Sequence, residues 1–200
     1  MAFVHTVEPF LAGILILAMA PVLLALAVAI AVLSRRSPLI RHLRVGWRGE
    51  ALPILKFRTM WPRERVRAPL FAIEQIAEYV PGIKTPGDPR VTSAFARWCR
   101  RHSLDELPQL YHVFRGQMSF VGPRPITRAE LDQYYGASAA EVLSERPGLA
   151  GLWQVRGRNH LTYAKRRRLD LFLVRRMSAG LFFRILWRAS WKVIRGTGAY

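Results

Sequence analysis

Two acidic residues, Asp105 and Glu106, stand side by side in a basic stretch of the chain. Three arginines precede them, namely Arg97, Arg100 and Arg101. Adjacent carboxylates offer the oxygen ligands that suit Mg²⁺, and a helix start at this point would favour a bound anion. Carboxylates, a divalent metal and arginines together suit phosphoryl chemistry, because the charge that develops in such reactions must be neutralised.

A purely structural explanation exists for the same residues. Ser103 could cap a helix N-terminus, and Glu106, three residues later, would complete a capping box. On local pattern alone, that explanation is favoured for Glu106. The acid pair therefore indicates phosphoryl chemistry only in combination with the arginines around it.

Two loops downstream carry further arginines. In the first, Pro123 and Pro125 restrict the backbone on either side of Arg124. The planar guanidinium could pair with phosphate, or it could be a solvated side chain in a structural turn. The second loop, residues 147–159, combines glycines with basic residues that include Arg158, but its spacing is neither a P-loop nor a dinucleotide fingerprint.

The elements that must position these loops are short. Residues 34–60 predict extended segments separated by turns, and a basic helix should end near Arg101. Further helices are expected over residues 69–79 and 130–145. The single cysteine, Cys99, excludes a disulfide framework and a multi-cysteine zinc site.

The composition is both apolar and basic. The 200 residues are 51% hydrophobic, and 31 Lys and Arg against 13 Asp and Glu give a net charge of +18. That hydrophobic content excludes a disordered basic tail. Nucleic acid or an anionic membrane surface would attract such a chain. No recognisable nucleic-acid module occurs, so we expect no nucleic-acid partner.

The apolar residues are concentrated near the N-terminus. Residues 10–33 carry no charge and are long enough to cross a bilayer as a helix. A cleaved signal peptide is disfavoured because no basic residue precedes the run and Pro21 directly follows the small-residue site ending at Ala20. Arginines follow the run, which places its C-terminal end in the cytoplasm.

Pro21 lies near the middle of this run and predicts a kink, because proline lacks an N–H and clashes with the preceding turn. One interpretation is a kinked helix that spans the membrane with its N-terminus outside. The other is a helix-break-helix hairpin that enters one leaflet and returns. The residues alone favour neither.

A second lipid-facing element is predicted over residues 165–195, where basic and apolar side chains alternate. Four basic residues follow one another at helical spacing and share one face; they are Arg184, Arg188, Lys192 and Arg195. Basic residues beside Trp, Phe and Leu describe an interfacial helix on anionic lipid. The alternative is a surface helix whose aromatic face belongs to the core.

At these motifs the sequence resembles the bacterial sugar transferases, or monotopic phosphoglycosyl transferases, which begin the assembly of polysaccharides and glycoconjugates. The likeness covers nearly the whole chain, with several motifs in the same order. Its segments are residues 56–60, 88–90, 100–110, 116–125, 146–159 and 195–200.

The resemblance implies transfer of a sugar-1-phosphate from a UDP-sugar to undecaprenyl (polyprenyl) phosphate, with Mg²⁺ and release of UMP. The aspartate that matches Asp105 is the family nucleophile, which attacks the β-phosphorus and forms a phosphosugar-enzyme intermediate. Glu106 matches its partner, assigned to metal binding or to assisting the acceptor. Both acids are therefore expected at the metal.

The resemblance also implies which basic residues meet the substrates. Positions matching Arg100 and Arg158 are associated with phosphate binding. The remaining residues expected at the substrate site are Pro123, Arg124 and Pro125, whose loop is associated with the nucleotide, and Lys56 and Arg58.

The fold that follows is a helix-dominated, irregular α/β protein of the bacterial inner membrane. Residues 1–36 would form a re-entrant membrane helix broken at Pro21, and residues 37–200 a catalytic domain on the cytoplasmic face, with an interfacial helix over about 165–195. The expected partners are the UDP-sugar, polyprenyl phosphate and anionic lipid, with a homodimer by analogy only. The alternative function is a catalytically silent, membrane-tethered scaffold of polysaccharide assembly.

The chain departs from the family pattern at several positions. Ala20 stands where serine usually precedes the helix-breaking proline, and Gln117 replaces a usual aspartate. His160 stands where aspartate or alanine is common. None of these departures touches Asp105 or Glu106, so they bear on local geometry rather than on the reaction class.

Overall fold

A long apolar helix lies against a domain of short helices and two small sheets in the computed structural model, which describes residues 2–60, 74–76, 93–157 and 161–196. The helices are α1 (Ala2–Ser34), α2 (Ala94–Arg101), α3 (Leu110–Phe114), α4 (Arg128–Tyr134), α5 (Ala139–Val142), α6 (Leu152–Arg156), α7 (Tyr163–Arg176) and α8 (Ala179–Arg195). The strands are β1 (Leu39–Val45), β2 (Ala51–Phe57), β3 (Glu74–Ile76), β4 (Ser119–Val121) and β5 (Gly148–Ala150). The predicted helix-dominated class is confirmed.

The larger sheet has the strand order β2-β1-β3. Strands β1 and β2 are antiparallel, with Leu39 opposite Phe57 and Val45 opposite Ala51, while β3 runs parallel to β1. The second sheet pairs β4 with β5 in parallel. The extended segments predicted over residues 34–60 are thus confirmed as the β1–β2 hairpin.

Two helix predictions in the middle of the chain need correction. The helix expected over residues 69–79 is wrong at Glu74–Ile76, which is strand β3, and its remaining residues lie outside the described ones. The helix expected over residues 130–145 is divided into α4 and α5 by a 3-10 turn at Gly136–Ser138. Gly136 has a φ of +47°, which is left-handed backbone that glycine adopts without a steric penalty.

The predicted element over residues 165–195 is two helices rather than one. Helix α7 ends at Arg176, and Ser178 begins α8 as its N-cap, with its side chain accepting a hydrogen bond from the Leu181 N–H. A serine at this place satisfies one of the free N–H groups of the new helix. The division lets α7 and α8 pack on different parts of the domain.

Helix α1 is continuous from end to end, with Pro9 and Pro21 both inside it. The structure therefore shows no interruption at the predicted break. The helix is long and apolar enough to cross a membrane. Its N-terminal part buries Ala12 in the main core, and its C-terminal part buries Leu26 and Ile30 in a second cluster.

Long-range contacts bring distant segments into the main core. Apolar side chains from α1, β2, α3, β4 and α8 meet there; they include Ala12, Ile54, Val113, Val121, Phe182 and Ile185. Burial of this apolar surface is what holds the short elements together, because each is too short to be stable alone. The core fixes β2, α3 and β4 against one another, and these elements carry or flank the candidate site.

Candidate active site

The acid pair lies in a 3-10 turn, Leu104–Gln109, that follows helix α2. Ser103 separates the two elements with a φ of +54°, and its side chain caps nothing. The capping box predicted between Ser103 and Glu106 is therefore wrong. This left-handed residue follows the end of α2, so that Asp105 and Glu106 lie in a separate 3-10 turn rather than in a continuation of the helix.

Glu106 is held by two cations from distant parts of the chain. Lys56 Nζ on β2 lies 2.8 Å from Glu106 Oε1, and Arg124 Nη2 lies 3.5 Å from the same oxygen. All three side chains are partly buried, which makes these ion pairs less screened than surface pairs. The structure thus brings together three residues that the sequence placed at the site.

Asp105 lies in a setting that disfavours its charged form. Burial raises the pKa of Asp105 above its usual value; Lys56 and Arg100 oppose that shift, whereas the Glu106 carboxylate adds to it. The Asp105 charge also acts on the neighbouring thiol of Cys99. Burial and, to a smaller extent, the Asp105 charge raise the pKa of this thiol to about 11. Cys99 is therefore a protonated thiol at neutral pH and does not compete as a nucleophile.

The Arg124 loop is fixed to strand β5. The Gly148 N–H donates to Pro123 O at 2.8 Å, and the Gly122 N–H donates to Ala150 O at 3.0 Å. A Cβ atom at Gly148 would lie 2.0 Å from the Gly122 nitrogen, so the two backbones approach as only glycine allows. Pro123 and Pro125 thus belong to a rigid support for Arg124.

Trp153 lies beneath two arginines. The Arg124 Cζ atom is 5.8 Å from the centroid of its ring, and the Arg166 Cζ atom is 4.8 Å from it. Arg166 is also 4.8 Å from the Tyr163 ring centroid and donates from Nε to Leu161 O. Sequence reasoning placed Arg166 among the lipid-facing residues, because the contact with Trp153 has no local signal.

A buried carboxyl supports this cluster from the inside. Asp170 on α7 is fully buried and accepts a 2.8 Å hydrogen bond from the Tyr135 hydroxyl. Burial raises its pKa to about 7, although the hydrogen bond from Tyr135 and, after it, N–H groups of Arg124 and Trp153 oppose the shift. The Trp153 Nε1 and Asp170 Oδ1 atoms are both buried, and neither forms a well-aligned hydrogen bond within the described residues. Sequence reasoning did not single out Asp170.

His112 connects α3 to the strand that carries Lys56. The Leu55 N–H donates to His112 Nε2 at 3.0 Å, and His112 Nδ1 lies 2.8 Å from Gln117 Oε1. Burial lowers the pKa of His112, so the ring is neutral and Nδ1 donates to Gln117. Gln117, one of the departures from the family pattern, therefore fixes the tautomer of this histidine.

An open cleft adjoins the acid pair. Its volume, including open solvent, is about 260 Å³. Its walls come from β1, β2, the acid-pair turn, the Arg124 loop and β5, and they are lined by Arg44, Ile54, Lys56, Glu106, Gln109, Arg124, Pro125, Gly148 and Leu149. Gln109 is a further residue that sequence reasoning did not assign.

The other predicted site residues have different settings. Arg100 is half-buried and close enough to act on the Asp105 charge. Arg58 is buried and donates from Nε to Ser37 O at 2.8 Å, contacts that fix β2 to the turn after α1. Arg158 lies outside the described residues.

Nearly the whole chain matches a known protein family. The family model described as "Bacterial sugar transferase" matches residues 2–196. The chain belongs to this family. The resemblance that the motifs suggested is thereby confirmed, and it extends from the apolar helix to the end of α8.

Curated relatives from several bacteria share this family. The "Undecaprenyl-phosphate galactose phosphotransferase" of Salmonella typhimurium is 41% identical over 162 residues, which cover 80% of this chain and 34% of that protein. The "Exopolysaccharide production protein ExoY" of Rhizobium meliloti is 37% identical over 94% of this chain and 84% of its own. The "UDP-glucose:undecaprenyl-phosphate glucose-1-phosphate transferase" of Caulobacter vibrioides is 44% identical over 73% of this chain and 51% of its own. The chain thus spans only about a third of the Salmonella protein.

Proposed function

We propose that the chain transfers a sugar-1-phosphate from a UDP-sugar to a polyprenyl phosphate and releases UMP, as the initiating step of polysaccharide or glycoconjugate assembly. The observation that carries the proposal is the acid pair itself. Asp105 stands beside Glu106, which contacts Lys56 and Arg124 and lines a cationic cleft. The names of the Salmonella and Caulobacter relatives support this substrate class.

The proposed reaction has two displacements at one phosphorus. In the first, an Asp105 oxygen attacks the β-phosphorus of the UDP-sugar, and the bond from that phosphorus to the bridging oxygen breaks, so that UMP leaves with the electron pair. In the second, an oxygen of the polyprenyl phosphate attacks the same phosphorus, and the Asp105 carboxylate is released. A covalent intermediate splits one hard step into two easier ones, and the water-soluble donor and lipid acceptor need not be bound together.

The basic residues around the pair have separate tasks in this proposal. Arg124, held on the β5 support, would pair with phosphate oxygens, as would Arg100 near Asp105. Lys56 would hold Glu106 in place and partly neutralise the site. Stabilising developing charge with fixed cations is a large term in phosphoryl transfer.

A Mg²⁺ ion fits the donor chemistry of the acid pair. Asp105 and Glu106 offer carboxylate oxygens, and Mg²⁺ is commonly held by one or two carboxylates together with substrate phosphates. In the described part of the chain no three His, Cys, Asp or Glu side chains converge on one point, so water and phosphate would complete its coordination. When bound, the ion would neutralise diphosphate charge and polarise the phosphoryl group.

The proposed membrane arrangement is a re-entrant α1 with both ends on the cytoplasmic side. Near its start, Glu8 accepts hydrogen bonds from the Ser119 hydroxyl at 2.6 Å and the Phe120 N–H at 2.7 Å. Near its end, Ile30 packs with Phe57 and Cys99. Both ends of α1 thus contact the same domain, whereas a hydrocarbon layer of about 30 Å would separate them in a spanning helix.

The decisive test is UMP release by purified protein in detergent or lipid. UDP-glucose and UDP-galactose are the first donors to try, because the names of the Caulobacter and Salmonella relatives specify glucose and galactose. We expect continuous release only when polyprenyl phosphate and Mg²⁺ are both present. Without the acceptor, release should stop at about one UMP per protein, because the first displacement leaves the sugar phosphate on Asp105. No release is expected in excess EDTA.

Asp105→Asn should reduce the rate by on the order of a thousandfold or more, because the amide is a poor nucleophile. The matched control is Asp132→Asn, which removes an exposed carboxylate on α4 that pairs with Arg128. Full turnover by Asp105→Asn would refute the nucleophile assignment. A wild-type chain that releases no UMP from any UDP-sugar would leave the scaffold function as the better account.

A further inference from the structure

Gln109 is a buried polar residue whose side-chain amide lacks a hydrogen-bond acceptor among the described residues. It ends the 3-10 turn that carries the acid pair, and it is only 3% exposed. Its Nε2 group is buried, and within residues 2–60, 74–76, 93–157 and 161–196 nothing accepts a hydrogen bond from it. The same residue lines the cleft beside Glu106 and Arg124.

An unused amide donor is costly at such a place. A buried N–H that exchanges water for no partner destabilises the folded state, whereas an apolar side chain of similar size would fill the space without that loss. Each buried unsatisfied group therefore calls for an explanation, such as a bound ligand. For Gln109, the adjoining cleft is where that ligand would lie.

The charges around the cleft indicate what kind of ligand the amide meets. Arg44, Lys56 and Arg124 bring three cations to its walls, against the single carboxylate of Glu106. Phosphoryl oxygens carry negative charge and accept hydrogen bonds, which matches both the cations and an N–H donor. The neutral amide of Gln109 would add a directional hydrogen bond to the phosphoryl group without adding charge to the cleft.

We propose that Gln109 is a phosphate-binding residue, whose side-chain N–H group donates to a phosphoryl oxygen of a substrate in the cleft. This inference rests on the proposed function, which supplies two such groups, the diphosphate of the UDP-sugar and the phosphate of the polyprenyl acceptor. Gln109 lies three residues after Glu106 in the same turn, so its amide would orient a phosphoryl group beside the acid pair.

The test is Gln109→Met, which keeps an unbranched side chain of similar size and removes the donor. Its matched control is Gln133→Met, at an exposed position on α4. For each full-length protein in detergent, the affinity for UDP-glucose or UDP-galactose and for a short-chain polyprenyl phosphate is measured by calorimetry. Thermal unfolding and UMP release are measured in parallel.

We expect Gln109→Met to unfold at the same or a higher temperature and to bind one phosphate substrate about 10-fold or more weakly. Loss confined to the UDP-sugar would assign the amide to the diphosphate, and loss confined to the lipid would assign it to the acceptor. Gln133→Met should match wild type.

Unchanged affinity of Gln109→Met for both substrates would overturn the inference, as would failure of the wild-type protein to bind either. A lower unfolding temperature with unchanged affinity would indicate a structural residue and would equally overturn it. UMP release by the wild-type chain tests the proposed function separately, because binding is measured without turnover.

Discussion

At the scale of single residues, the candidate site is supported by polar groups that are buried away from water. Asp170 illustrates this, because its carboxyl lies beneath the Arg124 loop and beside Trp153, with the Tyr135 hydroxyl as its hydrogen-bond donor. A carboxyl taken out of water is penalised when it ionises. The free energy of unfolding therefore includes a contribution that depends on whether Asp170 is protonated.

The contribution of Asp170 to the free energy of unfolding should therefore fall as pH rises from about 4 to about 7. The pKa of Asp170 is raised from 3.8 to about 7 in the folded state, so over that interval the folded protein binds more protons than the unfolded chain. Asp170→Asn removes this contribution and should flatten the profile by roughly 2–3 kcal/mol. Denaturant unfolding at pH 5 and pH 8 measures the difference.

Asp132→Asn is the control for this comparison, since it removes an exposed carboxylate from the same domain. Its pH profile should remain that of wild type. Identical profiles for wild type and Asp170→Asn would contradict the raised pKa of the Asp170 carboxyl.

At the scale of elements, helix α8 packs on the domain with one face and has another face that no described residue covers. Phe182 and Ile185 are buried, so one face of the helix belongs to the core. Trp187 is 72% and Ile194 69% exposed, and both lie on another face, beside basic residues. The aromatic face predicted from the sequence is thus divided between core and surface, and the exposed part is suited to anionic lipid.

We expect a probe on the exposed face of α8 to enter the lipid headgroup region. A polarity-sensitive fluorophore attached to a W187C variant should shift to shorter wavelength in anionic liposomes and be quenched by shallow nitroxide lipids. Labelling is selective because Cys99 is buried and its thiol pKa is about 11.

The same fluorophore on D132C reports an exposed position on α4 and should keep the spectrum of a water-exposed probe. Equal spectra for the two probes in liposomes would show that α8 does not contact the membrane.

At the scale of the whole molecule, the proposed membrane topology of α1 rests on its contacts with the domain. Glu8 is joined to Ser119 and Phe120, more than 100 residues away in the chain. Arginines that follow the helix, such as Arg35 and Arg36, favour the cytoplasm for the other end. These contacts support the proposed arrangement, in which both ends of α1 lie on the cytoplasmic side of the membrane.

Tags before residue 2 and after residue 200 should report the same side of the membrane. In intact spheroplasts we expect both tags to resist a membrane-impermeant reagent, and in inverted vesicles both should react. A tag after residue 200 reports the side of the domain and serves as the internal reference. Reaction of the N-terminal tag alone in spheroplasts would establish a spanning helix instead.

Much of this arrangement could be predicted from local sequence patterns. The apolar run, the extended segments that form β1 and β2, the end of α2 near Arg101 and the family motifs all depend on neighbouring residues. Predictions failed where a few residues override a longer pattern, as at Gly136 and Ser178, each of which begins a new element. The capping box failed because Ser103 adopts a left-handed backbone conformation.

The sequence was sufficient to identify the family, the acid pair and the segregation of apolar and basic residues, because these depend on residue type and spacing. The partners of the acid pair required the folded chain. Lys56 reaches Glu106 across 50 residues, and the burial of Gln109 depends on surrounding elements. Such contacts arise when distant apolar faces are buried together, and no local pattern records which faces will meet.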